Sequence, residues 1–371
     1  MKKRRVLHVL SGLHRGGIET FIMNVFKNIN REEIQFDFLI TDGTETDYSS
    51  FIRKNGGKIY TYTSRKKNLY KSCKDLFCFF KSHKEYRIIH VHVSSLTDIT
   101  PLLIAKLEGV PVRIIHSHNT QQGGIWIHKY IHQINKLFIH KFATHYFACS
   151  LPAAQWMFNS VIIRKGLYRI IPNAIDLSSY KFDIRQRLLS RRKYKLNEDD
   201  PVIVNVGRLH PQKNQIFLLK IIYELKKILP NIRLLIAGKG HLFYDLNKVI
   251  KKFNLNDNVY LCGEIKNVSE LLSASDLFCL PSLYEGLGIV LIEAQASGLP
   301  CVVSDKVPLE AKVLESFTYI PLEKDASYWA EIIASRLKLK DKSRTPLMDV
   351  FENYDITICS KRLQNFYKYV I

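Results

Sequence analysis

The chain of 371 residues has no run of 18 apolar residues, so it offers no membrane-spanning helix. Its seven cysteines, at 73, 78, 149, 262, 279, 301 and 359, include no Cys-x-x-Cys pair and are odd in number. That spacing excludes a zinc ribbon. Thiols inside apolar runs such as Leu277-Phe278-Cys279-Leu280 read as buried free cysteines of a reducing compartment. No Gly-x-Gly-x-x-Gly appears, so the dinucleotide-binding fingerprint is missing. There is also no Asp-x-Asp pair, no short internal repeat and no low-complexity segment. The basic start, Met1 to Arg5, leads into an apolar stretch of only five residues, Val6 to Leu10, broken by His8 and ended by Ser11-Gly12. That reads as a first buried strand and not a secretion signal, and the expected location is cytoplasmic.

What is present is cationic. The net charge is +21, and residues 1–175 hold 26 Lys and Arg against 11 Asp and Glu. Such asymmetry suggests attraction to an anionic membrane surface or to nucleic acid, with a merely soluble basic protein as the plain alternative. The length exceeds what one core usually serves, so two domains are expected.

Short apolar runs without alternation, separated by helix-length amphipathic segments, indicate parallel sheets covered on both faces. In the first half, strands are expected at Val6–Leu10, Phe36–Ile40, Lys58–Tyr62, Ile88–His92, Val112–His116 and Tyr146–Ala148. Helices are expected at Glu19–Asn28, Leu69–Lys81 and Thr97–Leu107. The pattern breaks over the polar stretch 174–200. It restarts at Val202–Val206, with further strands at Arg233–Ala237, Val259–Cys262, Leu277–Leu280 and Cys301–Ser304. The fold class is therefore α/β, two doubly wound Rossmann-like domains of similar size. Ligands of such sheets bind beyond the carboxyl ends of the strands.

The chemistry-bearing residues fall at those ends. Gly16 and Gly17 follow the first strand and precede a helix, as a phosphate-approaching loop or a plain tight turn. Gly207-Arg208-Leu209-His210-Pro211-Gln212-Lys213 follows Val202–Val206, and its Arg and Lys five apart suit a diphosphate or a solvated basic loop. Gly238-Lys239-Gly240 is a further close-approach turn. The sharpest signal is Glu285-Gly286-Leu287-Gly288-Ile289-Val290-Leu291-Ile292-Glu293: a carboxylate on the loop, a glycine turn, and a second carboxylate inside a helix. Glu293 lies among apolar neighbours and needs a hydrogen-bonding partner, supplied by a ligand or by a structural salt bridge. His116-Ser117-His118-Asn119 ends the fifth strand. With no carboxylate or cysteine nearby, hydrogen bonding to a substrate is the better reading than metal. His90 and His92, ending the fourth strand, are similarly ambiguous.

This ordered set resembles the retaining glycosyltransferases of family 4, which have the two-domain GT-B fold facing a central cleft. Glu285 to Glu293 matches the family's E-x7-E motif, and Gly207-Arg208 to Lys213-Asn214 its diphosphate loop. Gly16-Gly17-Ile18-Glu19 resembles its glycine loop, Ile171-Pro172-Asn173-Ala174-Ile175-Asp176 its hinge, and Leu299-Pro300-Cys301-Val302 the stretch after E-x7-E. His116-Ser117-His118-Asn119-Thr120 is similar to the subgroup acting in capsular and exopolysaccharide assembly. Leu287 and Ala174 depart from the residues common there, Phe and Gly.

The resemblance implies a division at 175/176, with residues 355–371 crossing back onto the first domain and 176–354 binding the nucleotide sugar. It implies Arg208 and Lys213 on the diphosphate in place of a metal, and Glu285 on the donor sugar. The amides of Leu287, Gly288 and Ile289 would meet phosphate, Glu293 the ribose, Gly263, Glu264 and Ile265 the base, and His118 the transferred sugar. No cofactor is implied, since the nucleotide sugar, with UDP expected, is a co-substrate. The partners implied are that donor and a lipid-linked or saccharide acceptor. An anionic membrane surface at the inner face of the plasma membrane is expected as well, and no nucleic acid. A glycolipid or small-metabolite acceptor is the alternative within enzymes. An NAD-dependent oxidoreductase would need the missing fingerprint.

Overall fold

The computed structural model of the protein describes residues 3–14, 16–120, 126–339, 344, 346 and 348–371. Arg15 and residues 121–125 lie outside them. The chain divides into two compact units, Met1–Ile175 with Asn353–Ile371, and Asp176–Glu352.

The first unit is built on seven parallel strands: β1 Arg4–Leu10, β2 Ile34–Ile40, β3 Ile59–Thr61, β4 Ile88–Val93, β5 Val112–Ser117, β6 His145–Ala148 and β7 Tyr168–Ile170. Their order is β3-β2-β1-β4-β5-β6-β7. The core joins Val6, Phe36, Phe38, Ile88, Ile114 and Phe147 of the sheet to Phe21, Phe26 and Tyr367 of two covering helices. Those helices, Gly17–Asn28 and Ile356–Tyr369, pack on one another. Asp355 caps the latter by accepting from the Thr357 N–H, and an isolated bridge pairs Asp355 with Ile175.

The second unit holds β8 Val202–Val206, β9 Arg233–Ala237, β10 Val259–Gly263, β11 Leu277–Leu280, β12 Cys301–Ser304 and β13 Phe317–Ile320. These are all parallel, in the order β10-β9-β8-β11-β12-β13. Its core centres on Leu218, Ile222, Leu234, Ile236, Leu277 and Trp329.

Three features differ from the sequence expectation. Strands β7 and β13, each closing one edge of its sheet, were not expected: at three and four residues, with Arg169 and Thr318 inside them, they carry no apolar run. The helix expected from Thr97 begins at Thr100, because Asp98 Oδ1 takes the Thr100 N–H at 2.9 Å and Pro101 sits in the first turn. From Asp176 onward the polar stretch 174–200 is ordered structure of the second unit. It forms a 3-10 turn, Leu177–Tyr180, and a helix, Ile184–Lys193, whose Arg187 and Arg191 both bind the Asp276 carboxylate at 2.6 and 3.0 Å.

Each sheet reverses its strand order once, between β1 and β4 and between β8 and β11. Such switch points open a crevice at the strands' carboxyl ends. The loops after β8 and β11 carry Arg208, Lys213 and Glu285; the loop after β1 carries Gly16 and Gly17.

Candidate functional site

In the second unit, β8 delivers a turn whose backbone is fixed by β9. The Gly207 N–H donates to the Ala237 carbonyl at 2.9 Å and the Leu209 N–H to Lys239 at 3.0 Å. Gly238 has φ +142°, and a Cβ there would overlap the Gly207 carbonyl oxygen. The glycines of Gly238-Lys239-Gly240 thus serve backbone-on-backbone packing against residues 207–209. This holds Arg208 exposed at the strand's end, while Gln215 Nε2 binds its carbonyl at 3.0 Å.

Lys213 closes a single 3-10 turn, Pro211–Lys213, whose N-terminus His210 caps. Its Nζ lies 2.7 Å from Glu285 Oε1, and the Ser282 hydroxyl donates to the same oxygen at 2.6 Å. Glu285 is 4 % exposed. A buried carboxylate is tolerable because an ammonium neutralises it and a hydroxyl solvates it. Two further bonds tie the loops together: Leu283 N–H to the Gln212 carbonyl at 2.8 Å, and Gln212 Nε2 to the Tyr284 carbonyl at 3.0 Å.

Gly288, at φ +77° in the left-handed region, caps the helix Ile289–Ala296 without a side-chain bond. An anion there meets helix-start N–H groups and the positive end of the dipole. Glu293, 6 % exposed, accepts the Tyr180 hydroxyl at 2.9 Å. Burial raises its carboxyl to about 7 against that bond's opposing pull. Its partner is therefore a phenol, not a salt bridge. Tyr180 and Ser282 are site residues that sequence reading missed. Leu287 is buried, Ile289 half-buried, and Gly263 sits at a β-bulge with φ +68° and open space where a Cβ would go. Exposed Glu264 pairs with Lys239 at 2.8 Å beside half-buried Ile265.

In the first unit, Gly16 caps the helix Gly17–Asn28 without a side-chain bond, and a Cβ on Gly17 would meet nothing within 4 Å. His118, at 7 % exposure, belongs to a stack of five buried imidazoles. Register puts His8 beside His90 and His92 beside His116. Alternation in a strand then brings His90, His92, His116 and His118 onto one face. Rings of His90 and His92 lie 4.1 Å apart, as do those of His116 and His118. Burial drives all five below the ordinary imidazole value, His8 and His118 to about 3. Two triads, His8-His90-His92 and His92-His116-His118, each bring three ring nitrogens within 4.8 Å. Neither triad was visible in the sequence, where His8 was only a break in an apolar run.

Residues 15–179 match the family described as Glycosyltransferase Family 4, and residues 186–347 match Glycosyl transferases group 1. A curated relative, the putative glycosyltransferase EpsF of Bacillus subtilis (strain 168), is 33% identical over 336 residues, covering 90% of this chain and 87% of that one. The chain belongs to glycosyltransferase family 4. The capsular polysaccharide biosynthesis glycosyltransferase CapH of Staphylococcus aureus is 26% identical over 98% of both chains. The UDP-Gal:alpha-D-GlcNAc-diphosphoundecaprenol alpha-1,3-galactosyltransferase of Escherichia coli is 28% identical over 82% of this chain and 80% of that one. Among solved structures, Anabaena Alr3699/HepE in complex with UDP-glucose superposes with TM-score 0.78 at 16% identity, over 98% of this chain and 99% of that one. That likeness establishes the fold, GT-B, as expected. For this family 4 glycosyltransferase, the E-x7-E pair is the two carboxylates just described, both buried and each already solvated by protein donors.

Proposed function

We propose that the protein is a retaining, metal-independent transferase that moves a hexosyl or N-acetylhexosaminyl group from a UDP-linked donor to a lipid-linked or saccharide acceptor in cell-surface polysaccharide assembly. The observation that carries this reading is Glu285 held by Lys213 and Ser282 beside the helix start at Gly288, with Glu293 a turn further in. Arg208 and Lys213 offer cations where charge grows on the departing diphosphate. The amides of Leu287, Gly288 and Ile289 offer the phosphates a helix N-terminus, and Glu293 accepts from a ribose diol. The turn at Gly263, Glu264 and Ile265 takes the base. Gly16, Gly17 and His118 keep the roles the resemblance gives them, toward diphosphate and sugar.

Glu285 accepts two short hydrogen bonds, which suits a group that orients sugar hydroxyls more than a nucleophile. The reaction is then front-face. The acceptor oxygen bonds to the anomeric carbon as the bond to the phosphate oxygen breaks on the same side. The acceptor's proton passes to that phosphate oxygen.

The names of the relatives from Escherichia coli and Staphylococcus aureus support a lipid-linked acceptor and a capsular or exopolysaccharide product. Among the described residues no helix is long and apolar enough to cross a membrane. The helix Leu69–Ser82 exposes Lys71, Lys74, Lys81, Tyr70 and Phe77, while Phe80 is buried and Phe79 stacks on His83 and Tyr86. The helix Trp126–Phe138 exposes Trp126, Tyr130, Ile134 and Leu137 at helical spacing, with Lys129 among them. Cations interleaved with interfacial aromatics favour an anionic lipid surface as the site of action.

Thermal unfolding with UDP, GDP, ADP and dTDP, each in EDTA, tests the reading. UDP should raise the midpoint most, because a ligand of the folded state alone stabilises it. A shift by none of them would defeat the proposal.

A further inference from the structure

Glu285 and Glu293 are buried to a similar degree but are solvated differently. Glu285 has both an ammonium and a hydroxyl on Oε1. Glu293 has the Tyr180 phenol on Oε1 at 2.9 Å, and no Lys or Arg pairs with it among the described residues. Its other oxygen, Oε2, accepts nothing from the described residues and keeps contact with solvent. That oxygen is the one a nucleotide can reach.

Tyr180 ends the 3-10 turn Leu177–Tyr180. Asp176 pins the start of that turn, accepting from the Ser178 N–H at 3.1 Å, the Ser178 hydroxyl at 2.6 Å and the Ser179 hydroxyl at 2.8 Å. The turn packs on the helix Ile289–Ala296, which carries Glu293 and no other titratable residue. β12 and the turn Leu309–Ala311 pack on the same helix and bring Cys301 and Glu310. Of Asp176, Tyr180, Cys301 and Glu310, Tyr180 alone bonds Glu293.

A hydrogen bond to an ionised acceptor is stronger than one to a neutral acceptor, so the phenol favours the carboxylate while burial favours the acid. The balance leaves the carboxyl at about 7. A neutral phenol solvates the charge without cancelling it, so Glu293 stays open to protonation where a salt-bridged carboxylate would not.

We propose that Tyr180 is a positioning residue for the nucleotide: its hydroxyl occupies Glu293 Oε1, favours the ionised carboxylate and leaves Oε2 to accept from a ribose hydroxyl. This rests on the assignment of Glu293 to the ribose. UDP affinity then rises with pH through about 7 and levels off above it, the sense required when the nucleotide binds the deprotonated form.

Titration calorimetry of UDP in EDTA, from about pH 5.5 to 9, reads this dependence, with Glu293→Gln as the reference for the ligand's own ionisation. Tyr180→Phe removes only the hydroxyl. It should weaken UDP about fivefold at pH 7, because less of the carboxyl is ionised, and come within about twofold of wild type at pH 9. In the Glu293→Gln background the same change should alter UDP affinity by less than about twofold, since its effect runs through the carboxylate. A loss in Tyr180→Phe that is the same at every pH, or that persists in the Glu293→Gln background, overturns the proposal. Carbon-13 NMR of glutamate-labelled protein follows the carboxyl without ligand, its signal identified by absence in Glu293→Gln. Its midpoint should move to higher pH in Tyr180→Phe, and an unchanged midpoint also overturns the proposal. If the midpoint moves but the wild type binds no UDP at any pH, the ribose assignment falls and takes the nucleotide role of Tyr180 with it, while the coupling of phenol and carboxyl stands.

Discussion

The Tyr180 hydroxyl donates to Glu293 Oε1 at 2.9 Å, joining the turn just after the first unit to the helix that follows β11. Tyr180 is the only side-chain partner of this buried carboxyl seen among the described residues, and the carboxyl sits at about 7. A folded value above the unfolded one means that protonation favours the fold. The contribution is present in full below about pH 4.5 and lost as pH rises through 7. Glu293→Gln should therefore stabilise the protein at pH 8 by roughly 2–3 kcal/mol and change little at pH 5. The same substitution should weaken UDP, which a ribose-binding carboxylate would hold. Unfolding in denaturant at both pH values checks this; equal effects at pH 5 and 8 would contradict it.

The histidines of the first unit respond in the opposite sense. All five are held neutral by burial, with folded values below the unfolded 6.5. Their contribution is complete above about pH 7 and is lost as pH falls below it. Each withdraws about 1.4 kcal/mol per pH unit once below its unfolded value. Amide exchange in β1 and β4 should accelerate steeply between pH 7 and 5, after correction for intrinsic rates. A flat profile would show that the rings are accessible to protons.

Lys213→Ala removes the ammonium 2.7 Å from Glu285 as well as a cation for the diphosphate. Transfer should fall by about 2–4 kcal/mol of transition-state stabilisation, the scale of losing one oxyanion donor. Arg208→Ala, at an exposed position with no fold role, should cost a similar amount of rate and almost no stability. Activity should survive EDTA in the wild type. Full loss on chelation, restored by magnesium or manganese, would refute the charge work assigned to these two residues.

Two glycines separate packing from phosphate approach. Gly238→Ala places a Cβ on the Gly207 carbonyl at a φ of +142° and should unfold or severely destabilise the second unit. Gly263→Ala has open space and only a φ of +68° to resist it, so it should cost about 1 kcal/mol. Comparable midpoints for the two variants in thermal unfolding would overturn this packing assignment.

Most of the framework was legible in the sequence because buried parallel strands are short apolar runs: β8, β9, β11 and β12 begin and end where the pattern does. The edge strands β7 and β13 were not, since they alternate with polar residues and are too short to show a period. Glu285, Lys213 and Gly288 were legible as a spacing along the chain. Tyr180 was hidden because it lies in a polar stretch that reads as a linker, 113 residues from the carboxylate it serves. The histidine stack depends on β1, β4 and β5 being neighbours, a fact of strand order that no local pattern carries. The outward face of Trp126–Phe138 was likewise invisible, because periodicity does not say which apolar stripe stays uncovered.

Titration calorimetry of UDP into the wild type, Glu293→Ala and Glu285→Ala, all in EDTA, tests the central claim most directly. Binding to the wild type is expected without added metal. It should weaken at least tenfold in Glu293→Ala and stay unchanged in Glu285→Ala, whose defect should appear only with the sugar attached. Equal UDP affinity in all three proteins, or no heat with the folded wild type, would contradict the donor site described here.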